Sequence, residues 1–347
     1  MTGACAALKL ASELPETHRV VLIEANDFAY WPPGALRACV LPGFEDSVFA
    51  ALDKVFPPGS RHLVLAGTRV VSLNPNSVVV DQVREPFAST TIEFEYAVIA
   101  TGSTYGAPCR PSGKTAAESL SSLREQQRQI KEARSLLVAG GGPVGIEFAG
   151  EVKAVHKDKK ITLVGRGARL VGPQFSGKFH RRLLAGLEAI GVEVVLNDGV
   201  QLDGVRTGPV EGGARKFTTS SGKSIDADFV FVAAGGRPDA SLISAADPAA
   251  VDADGRGKVD PRSLRFLSPK LRSYFGIGDA VDSPGLKTFL SGKAQAAAAA
   301  GNILTLVKAG SPDAHLNKAF KDPGMMMVVP LGPSGGASQL GSSFSAL

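Results

Sequence analysis

The residues whose type and spacing point most directly to chemistry are three glycines. Gly140, Gly142 and Gly145 keep the G-x-G-x-x-G spacing between a short apolar run at 135–139 and a helical pattern from Ile146 to about residue 155. In that setting Gly140 permits a tight turn, Gly142 lets the backbone approach a pyrophosphate, and Gly145 lets the helix pack on the strand. The helix start, where Pro143 and Val144 complete the fingerprint, attracts the ligand's negative charge. A plain glycine-rich turn is the competing account, and the strand–turn–helix context argues against it.

The end of the following strand, at 161–164, bears on which nucleotide fits. A carboxylate there would hydrogen-bond the ribose 2′-OH, whereas a small residue beside a guanidinium accepts a 2′-phosphate. Here Gly165 is followed by Arg166, which favours NADPH, or dual use, over strict NADH. A solvated turn arginine is the other reading of Arg166. The N-terminus has the opposite character. Gly3 opens a helix and Glu24, 21 residues on, ends a strand at 20–23, the spacing between the last fingerprint glycine and the ribose-binding acid. One unit with an acid and one with an arginine suggest FAD in the first and a nicotinamide in the second.

These residues need elements to hold them. The pattern predicts a helix from Gly3 to before Pro15, an irregular stretch over 27–66 with a helix near 46–55, and strands at 68–73, 77–81 and 91–100. A polar helix over 115–133 marks a boundary. The strand at 135–139, the fingerprint helix, strand 161–164, helix 175–190, strand 192–196, a ribbon near 200–225 and a strand at 228–234 follow. An Ala-rich helix over 290–308 comes after Gly278-Asp279. The strand expected ahead of Gly3, central in a doubly wound sheet, is not in the sequence, nor are the first two glycines of that fingerprint. Impaired FAD binding is therefore expected, with a truncated gene model or spliced form as its cause and 347 residues too few for the complete enzyme.

Composition narrows the class. Glycine fills 40 of 347 positions, 44% of residues are apolar and 20% charged, too apolar for a disordered chain. The balance of 38 basic and 33 acidic residues gives +5, but the charges are scattered, so an anionic cofactor is a better partner than nucleic acid. Cys5, Cys39 and Cys109 form no C-x-x-C pair, and the five histidines form no cluster, so no zinc site or disulfide framework is expected. No stretch reaches a membrane span.

Four motifs in order resemble the two-dinucleotide-domain flavoproteins of the pyridine nucleotide-disulfide oxidoreductase superfamily. They are Ala100-Thr101-Gly102, the fingerprint, Ala234-Gly235-Gly236-Arg237-Pro238, and Gly278-Asp279. The resemblance implies an α/β chain of two Rossmann-like domains of the glutathione reductase type with a short C-terminal α+β segment. The expected divisions are an FAD domain over 1–111 and 246–309, an NAD(P)H domain over 112–245, and a terminal segment over 310–347. It further implies that Asp279 bonds the ribityl chain of FAD and that the Ala-rich helix aims its positive end at the flavin. Disulfide reductases of this superfamily need two thiols near the flavin, which are not offered here. A single-cysteine peroxide or coenzyme A disulfide reductase acting through Cys39 is an alternative; a buried structural Cys39 is the favoured account.

Within the superfamily, Phe28-Ala29-Tyr30, Gly34-Ala35-Leu36-Arg37-Ala38, Gly145-Ile146-Glu147-Phe148-Ala149-Gly150-Glu151, Lys287 and Val328-Val329-Pro330-Leu331-Gly332-Pro333 are similar to the apoptosis-inducing factor 2 group, also called ferroptosis suppressor protein 1. These are NAD(P)H:quinone oxidoreductases. The match implies that Glu147 lies near the nicotinamide and flavin N5, that Lys287 lies near the flavin, that Arg37 and Gly235 join the cofactor-binding residues, and that a quinone or other small acceptor takes the electrons. Alone, Glu147 would read as a first-turn helix acid and Lys287 as a solvated loop lysine. The expected setting is intracellular, in the cytoplasm or peripheral to a mitochondrial or lipid-droplet membrane. A catalytically silent nucleotide-binding or signalling protein is the alternative from another class.

Overall fold

The computed structural model describes residues 1–202, 204–233 and 235–341, with the backbone of 343–346. The chain opens with helix α1 (Thr2–Glu13), which buries Ala6, Ala7 and Leu10 and stops short of Pro15. Strand β1 (Val21–Glu24) follows. The antiparallel pair β2 (Phe28–Tyr30) and β3 (Phe49–Ala51) encloses the single-turn helix α2 (Ala35–Ala38), and β4 (Leu63–Ala66) returns parallel to β1. A meander of β5 (Val70–Asn74), β6 (Ser77–Val80) and β7 (Thr91–Glu93) leads to β8 (Ala97–Ile99) and the two-residue β9 (Ser103–Thr104).

Two expectations are corrected here. Region 27–66 holds three strands, and 46–55 is no α-helix: Glu45–Val48 and Leu52–Lys54 are 3-10 turns on either side of β3. The cause is aromatic packing. The Phe49 ring meets Phe28 at 5.2 Å and Tyr30 at 5.4 Å, a cluster that the extended pairing of β2 with β3 assembles. The strand expected over 91–100 breaks at 94–96, because its halves pair differently. The Phe94 N–H donates to Asn76 O, while the Ala97 N–H donates to Ser273 O.

The middle of the chain is the more regular half. Helix α3 (Ala116–Glu132) starts on a capping box, Thr115 accepting from the Glu118 N–H while Glu118 reaches back to the Thr115 N–H. It is followed by β10 (Ser135–Ala139), α4 (Pro143–Val155), β11 (Lys160–Val164), α5 (Gly177–Ala189) and β12 (Val192–Val195), then β13 (Gly208–Pro209), the ribbon β14 (Arg215–Thr218) and β15 (Ser224–Ala227), and β16 (Phe229–Val232). The sheet order is β12-β11-β10-β16-β13, parallel except for β13. Its core is continuous with the α2 region, so Leu36, Cys39 and Val48 are buried in the same cluster as Leu136, Phe148 and Phe179. The Phe148 and Phe231 rings stack at 3.8 Å.

The last third returns to the first. After β17 (Arg237–Pro238) and α6 (Ser241–Ala246), β18 (Tyr274–Gly276) pairs parallel to β8, and α7 (Phe289–Ala309) runs alongside α1. Helix α7 is capped by Thr288 and ends at Gly310, whose φ of 58° closes it in the left-handed region. A three-stranded antiparallel sheet, β19 (Met326–Pro330), β20 (Gly336–Leu340) and β21 (Ser343–Ala346), completes the chain. The first parallel layer is split: β1 pairs only with β4, and β8 only with β18, among the described residues, while α1 packs against both β1 and β8. In the intact sheet Leu136, Leu137 and Val138 of β10 are fully buried, whereas all of β1 is only partly buried.

Candidate functional site

The fingerprint loop shows which glycines serve the fold and which leave room. A side-chain carbon at Gly145 would lie 2.1 Å from Gly140 O, and one at Gly140, whose φ is 140°, would lie 2.6 Å from Ala233 O. Both are needed to seat α4 on the sheet. A carbon at Gly142 would meet no protein atom within 4 Å, so its bareness serves nothing internal and leaves the N-terminus of α4 open to a ligand. Gly142 is the N-cap, Pro143 the first helical residue, and Val144 is half-buried against the core.

Gly165 donates to Val195 O and packs on Gly141, where a side-chain carbon would sit 3.4 Å from Cα. Arg166 is exposed, with Nε 3.7 Å from the point a Gly199 side-chain carbon would occupy. Neither Arg166 nor Arg169 makes an ion pair among the described residues.

A second convergence forms where α1, the 100–102 turn and the 278–279 turn meet. A carbon at Gly3 would lie 3.1 Å from the Ala100 Cβ, and one at Gly292 would lie 2.8 Å from Thr2 Oγ1. The start of α1 therefore sits beside Ala100 and Gly278 and on the first turn of α7. Gly102 and Gly278 adopt φ of 76° and 79°, and a carbon on Gly102 would meet no protein atom. Asp279 accepts from Ser103 Oγ at 2.8 Å and faces Arg110 Nη2 at 3.5 Å, leaving Oδ1 without a hydrogen bond among the described residues. Glu24 holds the Asn26 N–H with Oε1, leaving Oε2 similarly unengaged.

The two convergences are tied together. Thr101 Oγ1 donates to Asp239 O, the Asp239 N–H returns to Gly102 O, and β9 pairs antiparallel with β17. Gly235 stands just before this crossing with open space around it; Ala234, in the same motif, lies outside the described residues. The unengaged oxygens of Glu24 and Asp279 and the bare start of α4 suit ligands that carry hydroxyls and a pyrophosphate, as FAD and a nicotinamide dinucleotide do.

Other expected residues sit differently. Arg37 is gripped by Glu151, with Nε at 3.1 Å from both oxygens and Nη2 at 2.7 Å from one, so its guanidinium is committed to the protein rather than free for a cofactor. Lys287 Nζ donates to Val281 O, Ser283 O and Ser283 Oγ at 2.8–2.9 Å, and burial lowers its pKa. Glu147 makes no hydrogen bond among the described residues; burial, then the neighbouring Glu151, pushes its carboxyl up to about 8. Cys39 is fully buried, its Sγ donating to Leu36 O, and burial raises that thiol well above its ordinary value. Cys109 is pushed up to about 12, also by burial. Neither is a thiolate near neutral pH, which removes the basis for redox work at Cys39. Ser103, Arg110 and Gln295, whose Oε1 takes the Gly278 N–H at 2.7 Å, were not singled out from sequence. The signal for Gln295 was a lone amide inside an alanine run. No cluster of three or more acids, histidines or cysteines occurs among the described residues.

Two joined dinucleotide-binding units, one keyed to an acid-tipped strand and one to a glycine fingerprint, define a flavin- and pyridine-nucleotide-dependent oxidoreductase. The chain belongs to the pyridine nucleotide-disulphide oxidoreductase family, whose model matches residues 1–301. Among curated relatives, apoptosis-inducing factor homolog B of Dictyostelium discoideum is 29% identical, over 97% of this chain and 88% of that protein. Mouse ferroptosis suppressor protein 1 is 24% identical, over 97% and 87%. The NAD-dependent persulfide reductase of A. fulgidus shares the fold with a TM-score of 0.71 at 19% identity, covering 97% of this chain and 62% of that one. The chain is thus an FAD-dependent NAD(P)H oxidoreductase of the apoptosis-inducing-factor-like group.

Proposed function

We propose that this oxidoreductase takes electrons from NADPH and delivers them to a quinone without a redox cysteine. When bound, FAD supplies the two-electron relay between the nucleotide and the acceptor. The chain's own residues bind and orient. The start of α4, bared by Gly142, receives the dinucleotide pyrophosphate, and Arg166, with no acid at the strand end, receives the 2′-phosphate. Glu24 holds the adenosine ribose, Asp279 the ribityl chain, and Lys287 stiffens the 281–287 loop ahead of α7. The observation that carries the quinone reading is the inertness of the buried thiols Cys39 and Cys109: electrons must leave to a diffusible acceptor. No helix among the described residues is long and apolar enough to cross a membrane.

The test is the visible spectrum of the purified chain, with FAD added, before and after NADPH and then ubiquinone. Bleaching by NADPH followed by recovery with the quinone supports the reading; bleaching that only a disulfide or peroxide reverses overturns it. Nucleotide binding without turnover is the second reading, and the split between β1 and β8 favours it. It predicts NADPH binding with no flavin signal after reconstitution.

A further inference from the structure

Glu147 and Glu151 stand one turn apart on α4, so both carboxyls lie on one face of the helix. That face meets α2. Arg37 grips Glu151 with the forked contact described above, Glu151 is 5% exposed, and the guanidinium carbon lies 5.6 Å from the centre of the Phe44 ring, which steadies it. Glu147, by contrast, has no hydrogen-bond partner among the described residues and is largely enclosed.

Two carboxyls this close, held away from water, resist being ionised together at neutral pH. A planar guanidinium with two parallel contacts favours the charged form of the carboxyl it holds. The other groups around the pair do not compete. From α2 comes the Cys39 thiol and from the segment after β9 the Cys109 thiol, both kept neutral by burial. Arg110 is turned to Ser103 and Asp279, and the Tyr30 hydroxyl to Pro108 O. At the far end of α4, Lys153 is bound to the carbonyls of Lys157 and Lys159. Helix α5 buries Phe179, Leu183 and Leu187 and exposes Lys178, Arg181, Arg182 and Glu188, while its His180 Nδ1 takes the Leu170 N–H. Strand β19 brings no titratable side chain.

We propose that Arg37 is a positioning residue that, by holding Glu151 charged, leaves the one proton of the pair on Glu147. Glu147 then presents an O–H donor, on the α2 side of the fingerprint helix, to a carbonyl oxygen of a bound reactant. The inference rests on the oxidoreductase reading only for the use made of that proton.

The experiment is a carboxyl titration by carbon-13 NMR on the full chain labelled at glutamate Cδ, with Glu147→Gln and Glu151→Gln assigning the two signals. In the native chain Glu147 should titrate near 8, the value that burial and the neighbouring Glu151 impose. Glu151→Gln should lower the Glu147 midpoint by about one pH unit, because it removes the neighbouring carboxylate that raises it. Arg37→Met should displace the Glu147 midpoint, and Arg37→Lys should restore it. A native Glu147 midpoint below about 6, no shift in Glu151→Gln, or an unmoved Glu147 midpoint in Arg37→Met would each overturn the proposal. If Arg37→Met fails to fold, the first two measurements still decide. Because no turnover is involved, a chain that titrates as expected but never bleaches with NADPH would sink the oxidoreductase reading and leave this one standing.

Discussion

At the scale of single residues, what is written locally in the sequence is legible. The three fingerprint glycines and Glu24 stand out by spacing, and Asp279 by the resemblance of Gly278-Asp279 to the superfamily's late motif, because each belongs to a turn at the end of one strand. The partners that complete them were not, because they lie far off in the chain: Ser103 reaches Asp279 across 176 residues and Arg37 reaches Glu151 across 114. Two predictions belong here. Glu147 titrates near 8 in the folded chain against an ordinary value near 4.5, so across that window the folded state holds a proton that the unfolded state has released. Its contribution therefore weakens stability as pH rises through the window. Melting temperature measured from about pH 5 to about pH 9 should fall more steeply in the native chain than in Glu147→Gln. For Arg166→Ala, loss of a charge-assisted contact should weaken NADPH binding by about 10- to 100-fold and leave NADH nearly unchanged, as read by calorimetry with each nucleotide.

At the scale of elements, long patterns were read well and short ones poorly. Helices α3, α4, α5 and α7 and strand β10 lie close to where periodicity puts them. Strands β2, β3 and β4, of three or four residues, carry too little pattern to separate from irregular chain, and β3 exists because Phe49 completes a ring cluster with Phe28 and Tyr30. The fingerprint offers a paired test of fold against function. Gly145→Ala drives a carbon against Gly140 O and should cost about 1–3 kcal/mol of stability, measured by urea denaturation. Gly142→Ala meets nothing in the protein, so it should fold normally and yet bind NADPH more weakly. Equal destabilisation by the two would refute the assignment of Gly142 to the ligand.

At the scale of the whole molecule, cores and chain order do not coincide. Residues 28–49, placed by sequence in the first unit, bury Leu36, Cys39 and Val48 with the second unit's helices, while α1 and α7, nearly 300 residues apart, pack together. The sequence shows two nucleotide units; it could not show that they share side chains, since that follows from where β9 and β17 cross. On the function proposed above, Glu24 at the end of β1 and Asp279 after β18 would hold opposite ends of FAD. FAD added to the purified chain should therefore raise the melting temperature, by an amount that grows with the logarithm of its concentration, whereas a melting temperature unmoved by FAD would contradict this.

The open sides of β1 and β8 also bear on how the chain behaves in company. A strand edge with unpaired N–H and C=O groups is a template for another chain's backbone; Glu24 puts a charge on β1, which reads Val-Leu-Ile-Glu, whereas β8, Ala-Val-Ile, carries no charge, proline or bulge to blunt it. The uncharged β8 edge makes the chain prone to pair with a second copy, so light scattering should climb with protein concentration.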